Sequence, residues 1–201
     1  MEDERFSEQD SLELIARMIN QAKNYYYESG LGALLWGFTN LICFTLAYID
    51  VTPGGVKLPF NPFLLMIITF VLQFYYDRKE AKFKHASSYL DEVHKYIWIT
   101  FGVSVFILTI AGAIANVGYI VLPMLLLLFG IPTVISGCIM KFKPFVIGGI
   151  ICWLLCIAAF FYKSYESYLF VALGSVAAWV IPGFILRSRF KKNLLKQQHG
   201  V

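Results

Sequence analysis

The chain contains six long runs of apolar residues, and none of these runs holds an Asp, Glu, Lys, Arg or His. They cover about residues 31–49, 58–76, 96–115, 119–140, 145–162 and 168–186. Roughly 20 helical residues cross the ~30 Å hydrocarbon core of a bilayer, so each run is long enough to span a membrane. Continuous runs of this kind indicate helices, because barrel strands alternate between apolar and polar residues. The sequence therefore predicts an all-α membrane protein with six transmembrane helices.

Composition supports the same class. Of 201 residues, 58% are hydrophobic and 15% are charged, against roughly 45–50% and about 25% in ordinary soluble domains, which excludes a water-soluble globule. The polar, acidic first thirty residues lack the pattern of a signal peptide, so we expect the first span to be retained. All the cysteines lie inside the apolar runs, which excludes a disulfide framework: Cys43, Cys138, Cys152 and Cys156.

The distribution of Lys and Arg predicts an orientation. The N-terminal segment, the second and fourth connections and the C-terminal tail together carry 15 of these residues, whereas the other three connections carry 2. Lys and Arg accumulate on the cytoplasmic side of membrane proteins. The sequence therefore predicts three helical hairpins, with both termini in the cytoplasm.

Residues 1–30 differ in charge from the rest of the chain, with a net charge of −4 against +8. Their apolar side chains recur every three or four positions, which predicts an amphipathic cytoplasmic helix. Its stripe could contact lipid, the protein's own segment 77–95, or a cytoplasmic partner, although its acidic residues oppose an anionic leaflet. The candidate partner-binding residues are Leu12, Ile15, Ile19 and Tyr26, with Ala22 on the same stripe.

Two polar regions outside the spans carry weaker patterns. His85, Asp91, Glu92 and His94 do not have the spacing of a convincing metal site, so we expect a solvated polar helix there and predict neither a metal nor a cofactor. The basic tail, residues 187–201, follows a span directly. We interpret it as an anchor for anionic headgroups and not as a nucleic-acid site.

Inside the spans the polar side chains are neutral. Proton relays, ion-coupled carriers and membrane hydrolases need ionisable groups there, so we predict no enzymatic activity and no catalytic residue. Asn40 and Gln73 are expected to join helices by hydrogen bonds or, alternatively, to line a small uncharged path. Pro132 and Pro182 are expected to kink or interrupt their helices, and Ser136 lies one turn after Pro132. These five residues are the candidates for a ligand site or pathway.

Small residues form two lines that predict close helix approach. One line is Gly148, Cys152 and Cys156, and the other is Gly174, Ala178 and Pro182. Small residues let membrane helices approach closely, which favours packing over thiol chemistry for these cysteines.

The order of several short motifs resembles a family of uncharacterised six-span inner-membrane proteins of Gram-negative anaerobic bacteria. The resemblance covers essentially the whole chain, and the family has no assigned activity. It implies a shared fold and no catalytic role. The motifs are Met18-Ile19, Lys23-Asn24, Leu35-Trp36-Gly37, Lys141-Phe142-Lys143-Pro144, Gly148-Gly149, Ile181-Pro182-Gly183 and Ile185-Leu186.

Two functional hypotheses follow from the sequence. The first is a regulatory, sensing or assembly protein whose N-terminal helix engages a cytoplasmic protein. The second is a passive transporter or channel for a small neutral or apolar solute. The lipid bilayer is the expected surrounding in both cases, and a homo-oligomer is compatible with both.

Overall fold

A computed structural model describes residues 29–81, 89–162 and 165–198. All regular secondary structure in these ranges is helical. The N-terminal amphipathic helix predicted from the sequence lies outside the described residues. The helices are α1 (Leu31–Val51), α2 (Leu64–Ala81), α3 (Tyr89–Ile114), α4 (Gly118–Ile139), α5 (Lys143–Tyr162), α6 (Ser167–Ser175) and α7 (Ile181–Gln198), with a π-helical turn (Val176–Val180) that joins α6 to α7 in one continuous rod.

Five of the helical rods are long and apolar enough to span a membrane, which confirms a multi-pass membrane protein. The exception is α2. The sequence predicted a span over 58–76, but the helix begins only at Leu64, after an irregular segment that contains Pro59 and Pro62. Proline has no backbone N–H and restricts the preceding residue, which delays the start of the helix. The apolar part of α2, residues 64–76, is therefore 13 residues long.

Neighbouring helices run antiparallel. Gly32 near the start of α1 lies beside Gln73 in the middle of α2, whereas Phe44 of α1 contacts Phe63, which immediately precedes α2. The last rod is antiparallel to α1 as well, because Gly183 lies beside Gly30 and Tyr168 lies beside Phe44.

This arrangement gathers most of the described basic residues at one end of the bundle. We call it the basic end, and it comprises the start of α1, the end of α2, the start of α3, the α4–α5 turn and α7. The opposite end carries Asp50, in the last turn of α1, and Glu166, just before α6. The basic residues at the basic end are Arg78, Lys95, Lys141, Lys143, Arg187, Arg189, Lys191 and Lys192.

The core is formed by α1, α4, α5 and the last rod, which packs against the other three. The two predicted lines of small residues face each other there. A methyl group added at Gly148 would lie 2.3 Å from the carbonyl oxygen of Ala177, and Cys152 Sγ donates to the carbonyl of Gly174 at 3.4 Å. The close approach of α5 and the last rod predicted from these lines is confirmed.

Helices α2 and α3 lie at the periphery of this core. Among the described helices, α2 packs on α1 alone. Only 6% of the residues in the apolar stretch of α3 are buried, because α3 packs mainly on α4. Most of the side chains that α2 and α3 leave exposed are apolar, as expected for helices surrounded by lipid.

Candidate functional site: an aromatic and polar cluster at the π-helical turn

The last rod widens into a π-helical turn just before Pro182. The backbone N–H of Ile181 donates to the carbonyl of Val176, five residues earlier, instead of four. A proline clashes with the carbonyl four residues before it and has no N–H to bond that carbonyl, and the wider turn relieves this conflict. The predicted interruption at Pro182 therefore takes the form of a π turn within a continuous rod. At Pro132, where the sequence predicts a kink or an interruption, α4 continues as helix.

The π turn places Trp179 inside the bundle. The indole is 3% exposed, and its Nε1 donates to Thr133 Oγ1 at 3.1 Å. The Thr133 hydroxyl in turn donates to the carbonyl of Phe129 at 2.7 Å. The Trp179 and Phe129 rings pack with their centroids 4.6 Å apart. A buried indole usually needs an acceptor, and α4 supplies it here with a side-chain hydroxyl.

His94 of α3 reaches the same region. Trp98 Nε1 donates to His94 Nε2 at 2.9 Å. Because Nε2 accepts this bond, a neutral His94 carries its hydrogen on Nδ1, which faces Ser136 Oγ of α4 at 3.4 Å. His94 thus links its own helix to α4.

Ring contacts join these two hydrogen-bonded groups into one cluster. Trp98 and Trp179 have ring centroids 6.1 Å apart, and Phe101 packs edge-on against Phe129 at 5.9 Å. Edge-to-face and tilted arrangements at these distances add stability beyond burial alone. We call the following residues the aromatic cluster: His94, Trp98, Phe101, Phe129, Thr133, Ser136 and Trp179.

The position of His94 corrects the sequence interpretation. The sequence predicted a solvated helix around residues 85–94, and His94 instead contacts Trp98 and Ser136. The spacing of His94 and Trp98, four residues apart on one helix, could have indicated this pairing, because such residues share a face. Glu92 is exposed, as expected, whereas His85 lies outside the described residues.

Three of the five predicted ligand or pathway residues lie in or beside the aromatic cluster. Ser136 belongs to it, Pro132 precedes Thr133, and Pro182 follows Trp179 by three residues. Both prolines are buried, and Pro182 is fully inaccessible. The structure therefore brings these prolines and the Ser136 hydroxyl, from α4 and α7, to one place.

The hydrogen bonds that the structure records for the side-chain amides of Asn40 and Gln73 do not connect two helices. Asn40 Nδ2 donates to the carbonyl of Trp36 at 2.8 Å, and Gln73 Nε2 donates to Asp77 Oδ1 at 2.7 Å. Each of these bonds stays within one helix. A hydrogen bond between Thr39 and Thr69, 2.7 Å long, joins α1 to α2 instead.

A cavity of about 430 Å³ lies elsewhere, at the end opposite the basic end. It is an open cleft lined by Asp50, Phe60, Phe63 and Tyr168 among others. The aromatic cluster, by contrast, is filled by its own side chains. Among the residues that the structure describes, no group of three or more His, Cys, Asp or Glu is placed to hold a metal ion.

The chain enters the bundle through a tight contact at the basic end, which we call the junction: Ser29 and Gly30 against residues 183–187. A methyl group added at Gly30 would lie 2.9 Å from the carbonyl oxygen of Gly183 and 3.1 Å from the backbone nitrogen of Arg187. Gly30 also has a φ of 70°, which other residues rarely adopt. Ser29 is 7% exposed. The start of α1 is therefore fixed against the last rod.

Comparisons with family profiles, with curated proteins and with solved structures give no match to this chain.

Proposed function

We propose that this multi-pass membrane protein is a regulatory, sensing or assembly protein of a bacterial inner membrane, whose N-terminal segment, residues 1–28, engages a cytoplasmic protein partner. The observation that carries the proposal is the junction. Because Gly30 packs directly on Gly183 and Arg187, the position of the N-terminal segment depends on the position of the last rod.

The last rod also carries the π turn, which links the junction to the aromatic cluster. Gly183 follows Trp179 by four residues, so a shift of the Trp179 side chain acts on the backbone one helical turn before the junction. Gly37 of α1 packs on the same turn, since a methyl group there would lie 3.2 Å from Trp179 Cβ. A change inside the bundle therefore reaches α1 by two short paths.

A topology with both termini in the cytoplasm is supported by the two ends of the described chain. Gly30 and Arg187 lie together at the basic end, so the chain crosses the bundle an even number of times between them. Five long helices give an odd number, and α2 supplies the sixth crossing. The excess of Lys and Arg at this end favours the cytoplasm. The resemblance to six-span inner-membrane proteins supports the same arrangement.

The proposal includes no enzymatic activity. The hydrogen bonds of the aromatic cluster involve indole, imidazole and hydroxyl groups, which pair with one another. Because these donors find acceptors within the cluster, the groups suit packing and the recognition of helix position.

Passive transport is less well supported than regulation. A path for a neutral solute would need its polar side chains along one line, and the structure places Asn40 on α1 and Gln73 on the peripheral helix α2. Their recorded hydrogen bonds occupy both amide nitrogens within their own helices.

A crosslinking experiment tests the proposed partner. A photoreactive amino acid at position 19 of the full-length protein, activated in intact cells, should give an adduct with another polypeptide. The double variant Ile15→Ser and Ile19→Ser should abolish co-purification of that polypeptide, because it removes two apolar residues of the stripe. The control Asn20→Ser and Asn24→Ser alters the opposite side of the predicted helix and should retain the polypeptide.

Two outcomes would contradict the proposal. One is a crosslink that forms only within the chain, which would show that the segment docks on its own protein. The other is equal loss of the polypeptide in both double variants.

A further inference from the structure

The α4–α5 turn gathers basic side chains around one buried aromatic residue. Phe142 is 3% exposed and packs against Phe145, with ring centroids 5.2 Å apart, in a small core that includes Leu186 of α7. Lys141 and Lys143 flank Phe142 in the chain, and both are exposed. Arg189 of α7 places its guanidinium 5.0 Å from the centre of the Phe142 ring.

The backbone of the turn fixes this arrangement. Phe142 N–H donates to the carbonyl of Gly137 at 2.8 Å, and Met140 N–H donates to the carbonyl of Ser136 at 2.9 Å. Lys141 adopts a positive φ of 50°, which reverses the chain between the two helices. The two lysines therefore leave the turn on either side of an anchored ring, and the ring also holds Arg189 by a cation–π contact.

Little negative charge is available in this half of the chain to balance these cations. After Glu92, the only acidic residue in the sequence is Glu166, at the opposite end of the bundle. The turn ends one apolar helix and begins the next, so it lies at the boundary of the hydrocarbon region, where the headgroups of lipids are found. Lys and Arg at this depth extend their charged ends to the headgroups.

We infer that Lys141, Lys143 and Arg189 form a binding site for the phosphate headgroup of an anionic phospholipid. This site goes beyond the proposed function and does not depend on the N-terminal segment. Arg189 supplies a planar, paired donor to phosphate oxygens, and the lysines supply two further charges. The acyl chains of the lipid continue along the exposed apolar faces of the neighbouring helices.

The test uses the full-length protein purified in a mild detergent. Native mass spectrometry measures how much phosphatidylglycerol or phosphatidylcholine stays bound at equal concentrations of the two lipids. The site variant is Lys141→Gln, Lys143→Gln and Arg189→Gln. The control variant, Lys95→Gln, Lys191→Gln and Lys192→Gln, removes the same net charge from the same end of the bundle. All six side chains are exposed, so both variants should fold.

We expect the wild type and the control variant to retain phosphatidylglycerol in preference to phosphatidylcholine. The site variant should bind phosphatidylglycerol on the order of 100-fold more weakly, because each basic residue near the headgroups contributes about a fivefold factor. Phe142→Leu should weaken binding by a smaller factor, since it keeps the apolar core and removes only the ring beneath Arg189.

Three outcomes would overturn the inference. Equal losses in the site and control variants would show a general electrostatic effect. Equal retention of the two lipids by the wild type would show no headgroup preference. Displacement of phosphatidylglycerol by millimolar inorganic phosphate would show that the basic residues recognise free phosphate and not a lipid.

Discussion

Trp179 donates a hydrogen bond from its indole Nε1 to Thr133 Oγ1 at 3.1 Å, and this bond joins the π-helical turn to α4. Both side chains are nearly inaccessible, at 3% and 1% exposure. A donor and an acceptor that find each other inside a membrane bundle have few other partners, so the pair fixes the rotation of the last rod relative to α4.

The first prediction concerns this bond. Thr133→Val removes the acceptor at nearly constant volume and should destabilise the bundle by about 0.6–2 kcal/mol, the range for hydrogen bonds between membrane helices. The thermal unfolding midpoint in detergent, followed by circular dichroism, measures the effect. Thr133→Ser keeps the hydroxyl and should retain more of the stability than Thr133→Val. When Trp179→Phe is already present, Thr133→Val should lower the stability of the bundle by less than it does in the wild type. An equal loss of stability in the two backgrounds would contradict the pairing.

The second prediction separates two effects at the junction. Gly30→Ala introduces both left-handed backbone strain and contact with Gly183 and Arg187, whereas Gly54→Ala introduces the strain alone, because nothing lies within 4 Å of its added methyl group. The strain costs roughly 1–2 kcal/mol. We expect Gly30→Ala to lower the unfolding midpoint more than Gly54→Ala does. Equal shifts of the two unfolding midpoints would show that the residues around Gly30 can move aside for a methyl group at little cost.

The third prediction addresses the packing of α5 on the last rod. Gly148→Ala places a methyl group 2.3 Å from the Ala177 carbonyl oxygen and 2.8 Å from Ala178 Cα, both backbone atoms that cannot move away separately. The variant should lose about 1–3 kcal/mol, as overpacked cores do. The matched control is Gly102→Ala on α3, where nothing lies within 4 Å. That change should stabilise the helix by about 0.5–1 kcal/mol, and similar losses in both variants would refute the close approach.

The fourth prediction tests the proposed topology. In a background without the native cysteines, a membrane-impermeant maleimide should label Val56→Cys in intact cells, because Val56 is 69% exposed at the end opposite the basic end. Ser7→Cys and Ser188→Cys should react only after the membrane is permeabilised. Labelling of Ser7→Cys and Ser188→Cys from opposite sides would mean an odd number of crossings, and α2 would then not span the bilayer.

Much of the fold could be predicted from the sequence because lipid imposes a simple rule on the backbone. Helices α3, α4 and α5 lie within a few residues of the predicted spans or extend beyond them, since long apolar runs without breaks have no other stable form in a bilayer. The small residues around Gly148 and Gly174 also predicted a contact correctly, because a missing side chain permits close approach whichever helix is opposite.

Errors arose where the outcome depended on a specific neighbour. Hydropathy counted residues 58–63 within a span, but the prolines there prevent helix, and the helix starts at Leu64. Asn40 and Gln73 were predicted to bond across helices, and a backbone carbonyl or a carboxylate one turn away was nearer. Periodicity carries no information about such competition between local and distant acceptors.

The candidate site shows the same division. Pro182 indicated a local break, and Ser136 indicated a buried hydroxyl, both from residue type alone. The pairing of His94 with Ser136 required the register of α3 against α4, which only the folded arrangement defines. The π turn was likewise not predictable as such, because a proline conflict can be relieved by a kink, a break or a wider turn.

The short apolar stretch of α2 has a consequence for the surrounding lipid. Its 13 residues rise about 20 Å, roughly 10 Å less than an average hydrocarbon core. A bilayer that surrounds α2 must therefore compress beside it, and the compression costs a fraction of a kcal/mol for each Å of mismatch. Lipids with shorter acyl chains reduce this cost. Around α2 the protein should therefore accumulate lipids whose tails match its length, while α3, α4 and α5, with 26, 22 and 20 residues, match a bilayer of ordinary thickness.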